Sequence, residues 1–318
     1  MREFDSSPPF HKAILESGAT TARLVLPPTH ALHEEQFENF IAKLGCNIIP
    51  KDQVIDALRK LKAVDIRDAS EEIFQSYNPS IRWPFQPVID GTGGMVPVRP
   101  IDAWESGKWN KVPILTGFNT NEGAMFVPKN YHTDKEFIHF FHTLLPGLTE
   151  RDLMLLSESY PDPVTHPDSK YVETREGFSL GAQFKRMEQA YAHFAYIAPV
   201  RQTARFASAG GAPVFLYHFA VNSSVVGGAD HGNQNSFSTY NKEIRDRSES
   251  LEGVSGSMHA YWTSFITTYV LSLYIFFLHA YFSKVVLTLH VLEVTRIPSG
   301  EDIQTDRSGL LIRLMTPS

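Results

Sequence analysis

This 318-residue sequence has a single cysteine, Cys46. One thiol forms no internal disulfide, and no Cys-x-x-Cys or Cys/His spacing of a zinc site occurs. Cys46 therefore reads as a small buried apolar residue, and it leaves the redox compartment open. Positive charge is also short. The 29 Lys and Arg stand against 35 Asp and Glu, a net charge of −6, and they are scattered rather than clustered. That gives no footprint for nucleic acid. Internal repeats and low-complexity tracts are absent. Residues 1–10, MREFDSSPPF, are polar and interrupted by proline, so no secretory signal is expected there.

What is present supports a sizeable core: 42% of residues are apolar, enough for one large domain or two ordinary ones. Phe10 to Leu15 reads as a short strand stopping at Glu16-Ser17-Gly18. Apolar spacing predicts helices over Glu34–Leu44, Asp52–Leu61, Ala69–Tyr77, Lys135–Leu145 and Glu150–Ser159. Arg82 to Val98 is rich in Pro and Gly and reads as loop, short strand and a tight turn at Asp90-Gly91. The longest helical pattern is Gln183–Ala207, with Pro199 expected to kink or split it. Pro213 to Phe219 reads as a strand, and Met258 to Thr268 as a helix. Short buried strands alternating with helices argue an α/β fold with a mainly parallel sheet. Such sheets carry their sites on loops at the carboxyl ends of strands.

Two such loops carry candidate chemistry. In VPILTGFNTNEGAMFV, an apolar run drops into a Gly-Phe-Asn turn and delivers Glu122, then Gly123. After Pro213–Phe219, a Gly-rich loop delivers His231, then Gly232. An acid and a histidine so placed are two members of a nucleophile–base–acid triad. Either residue alone would be ordinary loop polarity. The one Gly-x-Ser-x-Gly match, Gly177–Gly181 around Ser179, is a poor nucleophile elbow: SKYVETRE before it is charged and is no buried strand. Its order would be acid, nucleophile, base, whereas enzymes with such an elbow run nucleophile, acid, base. His132, His139 and His142 have no acidic third ligand at metal-binding spacing, so no metal site is expected.

Together these stretches resemble the type-B carboxylesterase (cholinesterase-like) family in its fungal form. FHKAILESGA, PVIDG with SGKWNKVPILTGFNTNEGAMF, FAYIAPVRQTARFA, GGADHGNQ and MHAYWTSFITT occur in the family's order. The resemblance implies the later part of an α/β-hydrolase fold over residues 1–268. It puts the catalytic acid on Glu122, the base on His231, and a hydroxyl supporting the acid on Ser17. It also implies a small-molecule ester as substrate and acyl transfer to water without a cofactor. Cys46 is similar to the first cysteine of a small family disulfide, whose partner position falls on Ala57.

The departures shape the expectation. In the family, the serine nucleophile sits in a Gly-Glu-Ser-Ala-Gly elbow before the FHKAIL strand, and the oxyanion loop lies further upstream. Neither is in this sequence, so an α/β-hydrolase fold incomplete at that end and inactive alone is expected. The alternative is a non-catalytic, cholinesterase-like interaction protein or membrane-tethered remnant. After Thr268 the family pattern stops. Residues 265–283 carry no formal charge and suit a membrane span, a buried core element, or text from a misread gene such as a retained intron. The sequence from Glu293 onward is polar and reads as loose.

Overall fold

The computed structural model describes residues 8–23, 25–222, 227–268 and the backbone of Leu292–Arg296. Its centre is a four-stranded sheet in the order β1 (Ala13–Glu16), β2 (Ile114–Asn119), β3 (Val214–Phe219), β4 (Leu292–Arg296). The first three strands are parallel and β4 is antiparallel to β3. Parallel neighbours need crossovers, and helices supply them. Between β1 and β2 run α1 (Ala31–Lys43), α2 (Val54–Leu58), α3 (Ala63–Tyr77) and α4 (Pro100–Glu105). Between β2 and β3 run α5 (Asp134–Leu144), α6 (Glu150–Ser159), α7 (Phe184–Ala192) and α8 (Ala198–Ala209). Helices α9 (Gln234–Ser238), α10 (Lys242–Arg245) and α11 (Glu249–Thr268) follow β3.

Apolar side chains of the strands are packed by helices on both faces of the sheet. Leu15, Ile114, Val214 and Leu216 pack with Ala204 and Ala207 of α8 on one face. Ile14, Leu115, Phe215, Tyr217 and Phe219 pack with Met258, Trp262 and Phe265 of α11 on the other. This is the two-sided burial that parallel sheets require.

Several sequence expectations need correcting. Gly117-Phe118-Asn119 is not a turn, because β2 continues through it in register with Tyr217-His218-Phe219. Glycine stands at 117 for space: a Cβ there would lie 2.2 Å from Cδ1 of Tyr217. Tyr217 is fully buried and has nowhere to move. Gly117→Ala should therefore destabilise the chain by about 1–3 kcal/mol, the usual range for overpacking, read as a lowered urea midpoint. No strand forms within Arg82–Val98, although the turn does: the Asp90 carboxylate accepts the backbone N–H groups of Met95 and Val96. The sequence from Glu293 is not all loose. Leu292–Arg296 pairs with the outer edge of β3, which would otherwise leave its backbone groups unmatched.

The run 183–207 does split before Pro199. Residues His193–Ile197 form a π-helical turn, and the Ala198 N–H reaches back five residues to the His193 carbonyl. Proline has no N–H to continue the α ladder, so the wider turn takes up the slack. Cys46 is buried and free, in a small cluster with Ile41, Val54 and Ala57. Of residues 265–283, only Phe265–Thr268 are described, as the end of α11, and the rest lie outside the described residues. No described helix is long and apolar enough to cross a membrane.

Candidate active site

The loops after β2 and β3 are held together by one more step of parallel pairing. Asn121 and Asp230 form an isolated parallel bridge, with the Asn121 N–H on the Ala229 carbonyl at 2.9 Å. Glu122 and His231 each follow a bridged residue directly, so the bridge sets their separation. Glu122 Oε2 lies 2.6 Å from His231 Nδ1. Its Oε1 accepts the backbone N–H of Asn119 at 2.6 Å. A carboxylate only accepts, so it holds the imidazole proton on Nδ1 and leaves Nε2 as the acceptor. Glu122 is fully buried, while the His231 side chain keeps 32% of its exposure.

Asparagines brace both loops. Asn119 Nδ2 donates to the Asp230 carbonyl and to Gln234 Oε1, each at 2.6 Å. Asn121 Oδ1 accepts the Ala229 N–H at 2.9 Å, and its Nδ2 donates to Glu188 Oε1 at 2.6 Å. Glu188, fully buried on α7, pairs with Arg175 at 2.8 Å, and Arg175 also pairs with Glu173 at 2.6 Å. Burial, only partly offset by Arg175 and Asn121, raises the Glu188 pKa. Burial also pulls on Arg175, but its bonds and charges with Glu173 and Glu188 outweigh it and keep the guanidinium protonated. The acid loop touches this network closely: a Cβ on Gly123 would lie 2.1 Å from the Glu188 carbonyl oxygen. Gly232, after the histidine, has φ +83°, a bend that glycine accepts without strain.

His231 packs against two rings that also touch each other, Tyr196 at 4.6 Å and Phe126 at 5.4 Å between centroids. It opens onto a cleft of about 640 Å³ at the carboxyl end of β1. Ser17 lines this cleft in a left-handed conformation, φ 57°. The structure does not bond Ser17 to Glu122: its Oγ is buried and has no hydrogen-bond partner among the described residues. Ser179 lies exposed on the loop before α7, with no strand ahead of it. Among the described residues no hydroxyl bonds His231, whose one hydrogen bond goes to Glu122. No group of three His, Cys, Asp or Glu among the described residues is arranged to hold a metal.

The bracing residues were missed in the sequence. Asn119, Asn121 and Glu188 look like ordinary polar loop or helix residues, and nothing local marks their distant partners.

A profile of the Carboxylesterase family matches residues 3–270. The chain belongs to the carboxylesterase family. Secreted lipase 4 of Gibberella zeae is 33% identical over 267 residues, covering 83% of this chain and 46% of the lipase. The "Inactive carboxylesterase-like protein VdtD" of Byssochlamys spectabilis is 26% identical over 162 residues, covering 48% of this chain and 27% of that protein. The crystal structure of Aspergillus niger EstA aligns with a TM-score of 0.63 at 23% identity, covering 83% of this chain and 50% of EstA. The fold of this carboxylesterase-family chain is thus the α/β-hydrolase fold. The chain spans half or less of the length of these relatives.

Proposed function

We propose that this carboxylesterase-family chain carries the acid and base of a serine carboxylic-ester hydrolase. The observation that carries the reading is the 2.6 Å bond from a fully buried Glu122 to a His231 that opens onto an apolar cleft. In the proposed cycle a serine hydroxyl attacks the ester carbonyl and gives its proton to His231 Nε2. His231 returns that proton to the leaving alcohol. Water then enters by the same route and releases the acid. Glu122 holds the tautomer and steadies the imidazolium. No cofactor is required. The nucleophile is proposed to come from residues other than those described, since none of them presents a hydroxyl to His231. Ser17 is proposed to support the acid only once an ordered water or a small shift joins its hydroxyl to the site.

The test compares two proteins on p-nitrophenyl butyrate. One is the 318-residue chain. The other is the same chain preceded by the elbow-bearing part of the Gibberella zeae relative. Background rates from the first and turnover from the second, with the grafted serine labelled by a fluorophosphonate, are expected. A fused protein that folds, binds the ester and does not turn over would instead favour a non-catalytic role, as the name of the VdtD relative suggests.

A further inference from the structure

The cleft beside His231 is apolar in most of its wall, built from residues such as Ala22, Val25, Pro87, Val96 and Ala195. One cation lines it, Arg23. The guanidinium lies over the Trp83 ring at 4.3 Å, and its charge acts on the nearby Tyr196 hydroxyl. Tyr196 is the ring that lies against His231. Arg23 has no ion-pair partner among the described residues. Its segment is anchored on both sides. Trp104 Nε1 donates to Thr20 Oγ1 at 2.9 Å, and Thr21 Oγ1 donates to Gln202 Oε1 at 2.6 Å. The one carboxylate lining the cleft, Glu16, has its Oε1 taken by Trp262 Nε1 at 2.9 Å.

We propose that Arg23 is a specificity-determining residue that binds a carboxylate carried by the ester, so that the cleft selects apolar esters bearing a second, anionic group. A hemi-ester of a short dicarboxylic acid has this shape. Its carbonyl faces His231, its apolar part follows the alanine and proline wall, and its free carboxylate meets Arg23 one ring away. This rests on the esterase reading for where the scissile carbonyl sits. A guanidinium holds five donors, and stacking on Trp83 leaves its edge free to donate. In an apolar wall a charge-assisted bond is stronger than in water, and an uncompensated cation is unfavourable.

Binding to the 318-residue chain tests this without turnover. Monobenzyl succinate and its neutral methyl ester are titrated by calorimetry, with Trp emission reporting the Trp83–Arg23 contact. The unaltered chain should bind the anion about tenfold or more tightly than the neutral ester. That preference should shrink as salt is raised. Arg23→Gln should bring the two affinities together by weakening the anion alone, and Arg23→Lys should keep part of the difference. Equal binding of the two esters, binding of neither, or equal weakening of both by Arg23→Gln would overturn the proposal. The salt series needs no variant, so it decides even if Arg23→Gln fails to fold. If the esterase reading alone fails, the anion preference persists while the fused protein described above shows no turnover.

Discussion

Glu122→Gln should lower kcat of the elbow-bearing protein about ten-thousandfold, with KM nearly unchanged. The reason lies in the second oxygen of Glu122. The Asn119 N–H is a fixed donor at 2.6 Å from Oε1, so it will keep the amide oxygen of a glutamine. The amide NH₂ must then face His231 Nδ1. Nδ1 becomes an acceptor, the ring proton moves to Nε2, and the base has nothing with which to take a proton. The substitution alters one tautomer and little else, so stability and ester binding should hold. His231→Gln removes the base itself and should cost about a millionfold. Stopped assays on p-nitrophenyl butyrate separate the two, and a Glu122→Gln protein retaining full kcat would remove Glu122 from the mechanism.

Arg175→Met should destabilise the fold by about 3–5 kcal/mol, the range for removing one partner of a buried pair. Glu188 is fully buried and would keep only Asn121 as a partner. The effect should depend on pH, and its sign follows from the direction of the shift. The Glu188 pKa already lies above its ordinary 4.5 in the folded chain, because of burial. Without Arg175 it rises further. The folded state then holds a proton that the unfolded chain gives up, so stability falls as pH climbs from about 4.5 through the folded value. The difference in melting temperature between the variant and the parent should therefore be small in acid and grow toward neutral pH. A pH-independent difference would mean that packing of the Arg175 stem, not its charge, is what matters.

Glu122 and His231 could be singled out in the sequence because each follows a short apolar strand and precedes a glycine. Their direct contact could not, since it depends on a bridge between Asn121 and Asp230 that sequence spacing cannot register. The Gly-Phe-Asn segment misled for a physical reason. Glycine signals turns, yet at 117 it makes room for the Tyr217 ring from the next strand. The Asp90-Gly91 turn was readable because its bonds are local. Helix α3 begins six residues before the predicted start, at Ala63, where its first turns are mostly exposed and only Ile66 packs against the core. The Asn119, Asn121, Glu188 and Arg175 network joins three separate stretches and has no local signature at all.

The π turn ahead of Pro199 behaves as one surplus residue in an otherwise regular rod. An α turn takes about 3.6 residues and the π turn holds about one more, so the extra residue is absorbed inside the turn and the halves on either side keep their phase. The face of α8 that meets the sheet is fixed by Ala204 and Ala207. Tyr196 belongs to the widened turn itself, with its ring 4.6 Å from that of His231. Deleting one residue from 193–197 would therefore leave both flanking faces in place and disturb only the shelf beneath the imidazole. Such a deletion should cost the site far more than it costs the fold.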